Sequence, residues 1–291
     1  MTTLHVVGCG RVAGALCRLW AEKGTFEIGT IVNRTLDSAR DAVDFVGQGE
    51  ARDSLPAPGG GDWLVLGVPD GEIEGVAASL RDAGHRYAVA FHLSGAEPAR
   101  VLDGLAAEVV SAHPVHPFAG RAAAVERFPG SPVLVEGDAG GAESVGAAFR
   151  AIGGEVLTAD LTDKRRYHAA MIAASNFLVA LDGMALGLAE SAGLEAGQAR
   201  RLVASLQRSA LANIEAEGAR DALTGPIERA DDATCARLAA IAGTLDDGDA
   251  DLFRALARAT CDLAERKHPD RAAALQAVRR RFAADGSGRR H

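Results

Sequence analysis

The chain has 291 residues, 48% of them hydrophobic and 24% charged, with a net charge of −8. That length leaves room for two domains and a sizeable core, and the acidic balance argues against a general nucleic-acid or anionic-membrane binder, since both need a basic face. No run approaches the roughly 18 apolar residues of a spanning helix, and no basic-then-apolar leader precedes the first strand, so neither a membrane segment nor a secretory signal is expected.

Residues 4–7 (Leu4, His5, Val6, Val7) read as a short buried strand. They lead into Gly8, Cys9, Gly10, Arg11, Val12 and Ala13, a G-x-G-x-x-A turn. Apolar residues then recur at helical spacing over 12–22, and a second strand runs over 27–32. A glycine pattern placed between a strand and a helix in a β-α-β unit is a dinucleotide-binding fingerprint. Gly8 permits the tight turn, Gly10 lets the backbone approach a pyrophosphate, and Ala13 lets helix pack on strand. The helix start offers free N–H groups and a positive dipole end to the phosphates. Where an NAD site usually places a carboxylate, this chain has Asn33, Arg34 and Thr35. A guanidinium forks onto phosphate, so the expectation is NADP, its 2′-phosphate held by Arg34.

A helix is expected over 36–46, a loop over 56–61 and an apolar strand over 62–69 that turns at Val68 and Pro69, which join the candidate cofactor contacts. Helix 71–83, strand 87–93, helix 97–105, strands 108–112 and 132–135, helix 142–152 and strand 155–157 follow. Strands alternating with crossover helices specify a mostly parallel sheet covered on both faces. Beyond about residue 159 strand signals vanish and alanine abounds. Helices are expected over 162–191, 195–218, 232–243, 249–266 and 271–283, an all-helical domain. The expected fold is thus α/β: a Rossmann-type domain over 1–159, a helical substrate and dimerisation domain over 160–284, and a flexible tail over 285–291. The substrate pocket is expected beside the C-terminal strand edge, facing the helical domain. Cys9, Cys17, Cys235 and Cys261 never form C-x-x-C. They read as reduced, small buried or loop residues of a cytoplasmic protein.

Several motifs carry a family resemblance. Lys164, Tyr167, His168, Ala169 and Ala170, followed by Ser175 and Asn176, form K-x-x-Y-H-A-A…S-N. His92 to Ala96 form H-x-S-G-A, His113 to Phe118 form H-P-x-x-x-F, and Thr224 to Asp231 form a T-G-P-x-x-R-x-D loop in which Ala230 stands for glycine. If that glycine has positive φ, Ala230 must be strained or the loop different. The set resembles an uncharacterised Rossmann-like NAD(P)-binding family with a helical C-terminal domain of unknown function. More distantly, the architecture resembles ketopantoate reductase, pyrroline-5-carboxylate reductase and prephenate dehydrogenase. The resemblance implies the 6-phosphogluconate-dehydrogenase-like architecture and a small anionic substrate. Helix exchange between subunits of related bundles implies a homodimer.

Lys164, His168 and Ser175 fall on one face of an ideal helix, with Asn176 at its edge. Carbonyl reduction needs a proton donor, and a lysine with a lowered pKa can serve. Lys164 is therefore the expected general acid, with Ser175 and Asn176 orienting the substrate; ketopantoate reductase resembles this arrangement of a helix lysine and nearby asparagines. His113, just after a strand, is a candidate pocket histidine, as the resemblance to prephenate dehydrogenase implies, and His168 a substrate contact. Ser94 could present N–H groups to cofactor or substrate, or simply cap a turn. Arg229 is a candidate clamp for a substrate carboxylate. His113 and His116 lack a convincing set of partner ligands, so no metal is expected.

The reading is an NADPH-dependent reductase of a small carboxylate-bearing 2-oxo acid or imine, ketopantoate-reductase-like. The rivals are oxidation of a prephenate- or arogenate-like acid and a non-catalytic NADP-binding sensor or assembly protein.

Overall fold

The computed structural model describes residues 1–283; the expected tail at 285–291 lies outside them. The chain divides into two compact units, Met1–Phe177 and a second from Leu178.

The first unit is built on an eight-stranded sheet: β1 (Thr3–Val7), β2 (Glu27–Val32), β3 (Glu50–Arg52), β4 (Trp63–Leu66), β5 (Tyr87–His92), β6 (Ala106–Pro114), β7 (Pro132–Gly137) and β8 (Glu155–Thr158). Its order is β3-β2-β1-β4-β5-β6-β7-β8. All neighbours run parallel except β6 and β7. The expected Rossmann-type sheet is therefore present, with order reversal at β1, where ligands of such sheets bind. The helices are α1 (Arg11–Lys23), α2 (Leu36–Val46), α3 (Ile73–Asp82), α4 (Arg121–Arg127), α5 (Ala139–Ala151) and α6 (Lys164–Ala174), and α7 (Asn176–Ser191) crosses into the second unit.

Period-2 alternation distributes β4 between two cores. Val65 faces a cluster with Leu16, Trp20, Phe91 and Phe149, while Leu64 and Leu66 face Ile73, Ala77 and Tyr87. Trp20 is fully buried, stacks edge-on against Phe26, Phe91 and Phe149, and donates from Nε1 to Ala148 O at 2.9 Å. At the β1–β2 register slip, Thr30 N donates to His5 Nδ1 at 3.1 Å. The proton must then sit on Nε2, 3.2 Å from Asp62 Oδ2.

Two expected helices need correction. The helix placed at 97–105 is one 3₁₀ segment, Ala99–Leu102, because Pro98 precedes it and Asp103, with a non-helical ψ of 135°, ends it. The single helix placed at 162–191 divides at Ser175, the C-cap of α6, whose φ/ψ of −118°/−69° is distorted from ideal helix values. The short strand β3 and the alanine-rich α4 carried no recognised signal. Lys164–Ser191 is long and apolar enough by composition alone to cross a membrane, its 18-residue window having a mean hydropathy of 1.6 and being 6% buried. Ser175, Asn176 and Asp182 interrupt the span, so no single apolar run fills its length. The first compact unit also extends past the expected boundary at 159, because α6 packs Lys164, Tyr167 and His168 onto the sheet.

The second unit contains α8 (Ala196–Ala222), α9 (Asp232–Ala242), α10 (Asp247–Lys267) and α11 (Ala272–Arg281), with no strand among the described residues. Cys235, Ala257, Cys261, Val278 and Phe282 form its core. Lys267 Nζ donates to Asp221 O and Leu223 O at 2.9 and 2.8 Å, anchoring the loop after α8. In that loop Ala230 has φ 54, so the residue standing for glycine does occupy the left-handed region.

Candidate active site

The turn after β1 is shaped by what it excludes. Gly8 has φ +85, and a Cβ there would lie 2.6 Å from Val68 N. A Cβ on Gly67 would lie 2.5 Å from Gly8 O and 2.7 Å from the Ala13 Cβ. Backbone, strand end and helix thus meet at a separation only glycine and alanine allow. At Gly10 the opposite holds: a Cβ would meet nothing within 4 Å. Gly10 is also the N-cap of α1 and offers no side-chain cap, so the first N–H groups of the helix, from Arg11 and Val12, have no internal partner there. An open, uncapped helix start beside a glycine turn fits a dinucleotide pyrophosphate.

The end of β2 is tied to this turn. Asn33 Oδ1 accepts from Cys9 N at 2.6 Å, and Asn33 Nδ2 donates to Ser38 O at 2.8 Å. Cys9 N–H and Asn33 therefore hold one another. Thr35 Oγ1 caps α2 by accepting from Ser38 N at 3.2 Å. Asp37, the nearest carboxylate, pairs with Arg40 at 3.0 Å. Arg34 is exposed, with no acidic partner among the described residues.

A second polar group forms at the C-terminal ends of β5 and β6, the same sheet edge as the glycine turn. Register places His92 beside Ser111 and Ser111 beside Glu136. Lys164, the first residue of α6, lowers its ammonium onto this pair: Nζ donates to Ser111 Oγ and, at 2.9 Å, to Glu136 Oε1. Ser111 Oγ in turn donates to Ser94 O at 3.3 Å. Burial pulls the Lys164 pKa below its ordinary value, opposed by the Glu136 carboxylate and, further off, Asp70 and Glu97.

His113 Nδ1 lies 2.7 Å from Tyr167 Oη, and its ring lies edge-on to Tyr167 and to His168. Burial, with the positive potential of His168 and Lys164, lowers the His113 pKa to about 4. His113 is therefore neutral at pH 7. A Cβ on Gly95 would lie 2.8 Å from His168 Nδ1 and 3.0 Å from His113 Nε2. The two imidazoles converge where residue 95 must lack a side chain. His168 Nδ1 is buried without a hydrogen-bond partner, leaving a polar atom available to a ligand. His92 has a different role: Nδ1 accepts from Ser94 N at 3.2 Å and Nε2 donates to Pro98 O at 3.2 Å. Burial lowers its pKa to about 3.

Ser94 caps its turn, its Oγ accepting from Ala96 N and Glu97 N at 3.0 Å each. The structure brings Lys164, His113 and His168 together with Ser94. It does not bring Ser175 and Asn176 to them. Both are exposed, and Ser175 Oγ bonds to Met171 O and Asn176 Oδ1. The ideal-helix face that united them ends with α6 at Ala174. Arg229 is exposed in the second unit. Sequence reasoning missed Ser111 and Glu136, and gave Tyr167 a place in a motif but no role. A serine and a glutamate interrupting apolar strands were the available signal for the first two.

Residues 131–260 match the model of a family described as a domain of unknown function, DUF2520. That span includes the Lys164 motif and the loop of Ala230. No curated protein matches the chain. Among solved structures, protein TM1727 from Thermotoga maritima is 25% identical with TM-score 0.69, covering 91% of this chain and 99% of that one. BF3122 from Bacteroides fragilis, described as a candidate NADP oxidoreductase, is 21% identical with TM-score 0.71, covering 89% and 97%. Streptomyces aurantiacus imine reductase is 19% identical with TM-score 0.62, covering 97% and 100%. The chain has the fold of these proteins: a Rossmann-like domain followed by a helical C-terminal region.

Proposed function

We propose that this protein is a cytoplasmic NADPH-dependent oxidoreductase that reduces the C=O or C=N bond of a small carboxylate-bearing 2-oxo acid or imine, in the manner of ketopantoate reductase. The observation that carries this reading is the buried ammonium of Lys164, held by Glu136 and Ser111 at the sheet edge that also bears the glycine turn. Two of the fold neighbours, the candidate NADP oxidoreductase and the imine reductase, have names that agree with it.

When bound, the cofactor supplies a hydride. The uncapped start of α1 and the Gly8–Gly10 turn receive its pyrophosphate, and Arg34 receives a 2′-phosphate. Lys164 Nζ carries the proton for the reduced oxygen or nitrogen. Its lowered pKa makes it a better acid near neutral pH than an ordinary lysine. Glu136 keeps the ammonium in place, and Ser111 fixes its direction. His113 and His168 present ring nitrogens to the substrate over Gly95. Reduction is favoured over oxidation of a prephenate-like acid, because His113, with a pKa of about 4, is a weak base for drawing a hydroxyl proton.

The protein also assembles as a homodimer in this reading. In α8 only Ala199 is buried, while Leu202 and Leu206 are 59% and 74% exposed. Apolar rows of that extent on a water-soluble helix call for a covering surface.

NADPH oxidation measured against a panel of 2-oxo acids and cyclic imines tests the function. Turnover of at least one is expected. NADPH binding with no oxidation across the panel supports the non-catalytic alternative instead.

A further inference from the structure

The segment between β6 and β7 delivers a side chain that no motif singled out. Arg121, the first residue of α4, reaches the glycine turn: Nε donates to Gly10 O at 3.1 Å and Nη2 to Cys9 O at 3.0 Å. Its guanidinium carbon lies 5.7 Å from the Phe45 ring centroid, within cation–π range. Its stem runs along Gly14, where a Cβ would come within 3.2 Å of Nε and 3.3 Å of Cδ. Glycine inside a helix is destabilising relative to alanine. At position 14 it makes room for this arginine.

In a trans peptide the N–H points opposite to the C=O. Gly10 O also accepts from Gly14 N at 3.0 Å within α1, and the Arg121 bond reinforces this orientation, which points Arg11 N–H toward the open end of the helix, where a Cβ on Gly10 would meet nothing within 4 Å. Two donors of the guanidinium are used on the turn, and the rest of its five remain for other partners. We propose that Arg121 is a positioning residue for the cofactor pyrophosphate: a clasp from a distant segment that fixes the Cys9–Gly10 carbonyls and thereby aims the phosphate-binding N–H groups. This rests on the nicotinamide-cofactor reading above.

The test compares full-length wild type with Arg121→Met, Arg121→Lys and Gly14→Ala. NADPH affinity is measured by calorimetry, adenosine 2′-monophosphate serves as a probe lacking the pyrophosphate, and melting of the ligand-free proteins is followed in parallel. Arg121→Met and Arg121→Lys are each expected to weaken NADPH by about tenfold or more, the scale of lost charge-assisted hydrogen bonds. Lysine does not rescue, because an ammonium lacks the planar fork that spans two carbonyls and stacks on a ring. Gly14→Ala, which displaces the stem, is expected to weaken NADPH by about threefold. The mononucleotide should change by less than about twofold in every variant, since its phosphate does not reach the turn. The proposal is overturned if Arg121→Met binds NADPH as wild type does, or loses both ligands in step with its melting temperature. If Arg121→Met does not fold, Gly14→Ala decides by the same criterion. Wild type that binds neither NADPH nor NADH removes the cofactor reading and the clasp together. Wild-type binding with unaltered variants removes the clasp alone.

Discussion

Lys164 Nζ and Glu136 Oε1 lie 2.9 Å apart with side chains 6% and 16% exposed, so the ion pair is shielded from water. Removing one partner of such a pair typically costs about 3–5 kcal/mol, because the other charge is left unpaired. Lys164→Met should therefore lower both stability and turnover. The double variant Lys164→Met/Glu136→Leu separates the two effects. Stability should return while turnover stays down by about 10²-fold or more, the usual contribution of a general acid. Recovery of turnover in the double variant would remove Lys164 from the chemistry.

Cofactor choice is expected to follow Arg34. Arg34→Asp should reverse the NADPH over NADH preference by about tenfold or more, since it exchanges a phosphate-forking group for a ribose acceptor. Equal affinities of the wild type for the two cofactors would refute the assignment.

Acid should destabilise the first unit. His92 and His113 have folded pKa values of about 3 and about 4, lowered from 6.5 chiefly by burial. Below pH 6.5 the unfolded chain takes up protons that the folded chain refuses, so stability falls as pH falls from about 6.5 toward 4. At pH 5 each histidine accounts for a loss of about 2 kcal/mol. Urea midpoints measured between pH 7 and 4.5 should decline, and His92→Gln should flatten the decline. A flat profile in the wild type would contradict the burial of both rings.

Ala230 is the non-glycine residue with positive φ among those described. A left-handed conformation costs an L-residue roughly 1–2 kcal/mol. Ala230→Gly should raise stability by about 0.5–1 kcal/mol after the greater freedom of glycine in the unfolded chain is counted. Ala230→Val should lower it. Denaturant titration of both variants checks the sign.

Light scattering should give twice the chain mass. Leu206→Glu, a charge in the exposed row of α8, should shift the protein toward the monomer. A wild-type monomer at micromolar concentration would dismiss the dimer.

The first β-α-β unit was legible because local signals coincide there: a glycine turn, 3.6-residue periodicity and a bounded apolar strand. The lysine of α6 was singled out by the polar stripe it heads on an otherwise apolar helix. Its partners were not. Glu136 reaches Ser111 only because β7 runs antiparallel to β6, and strand direction across a connection of 17 residues (115–131) leaves no local trace. Ser175 and Asn176 were misplaced by extending an ideal helix through a position whose backbone departs from it. Arg121 had no signal at all. A lone arginine in an alanine-rich segment reads as a solvated charge until its distance to Cys9 O is known.

The extension of the first unit to Phe177 bears on where the chain can be cut. A fragment ending at residue 159 would possess every strand yet leave the Glu136 carboxylate without its counter-ion and the Ser111 hydroxyl without its ammonium donor. Adding the next eighteen residues restores it. This unit is thus still missing one of its own ion-pair partners at its last strand, and during synthesis it gains that partner only when the ribosome has passed into what composition alone assigns to its neighbour.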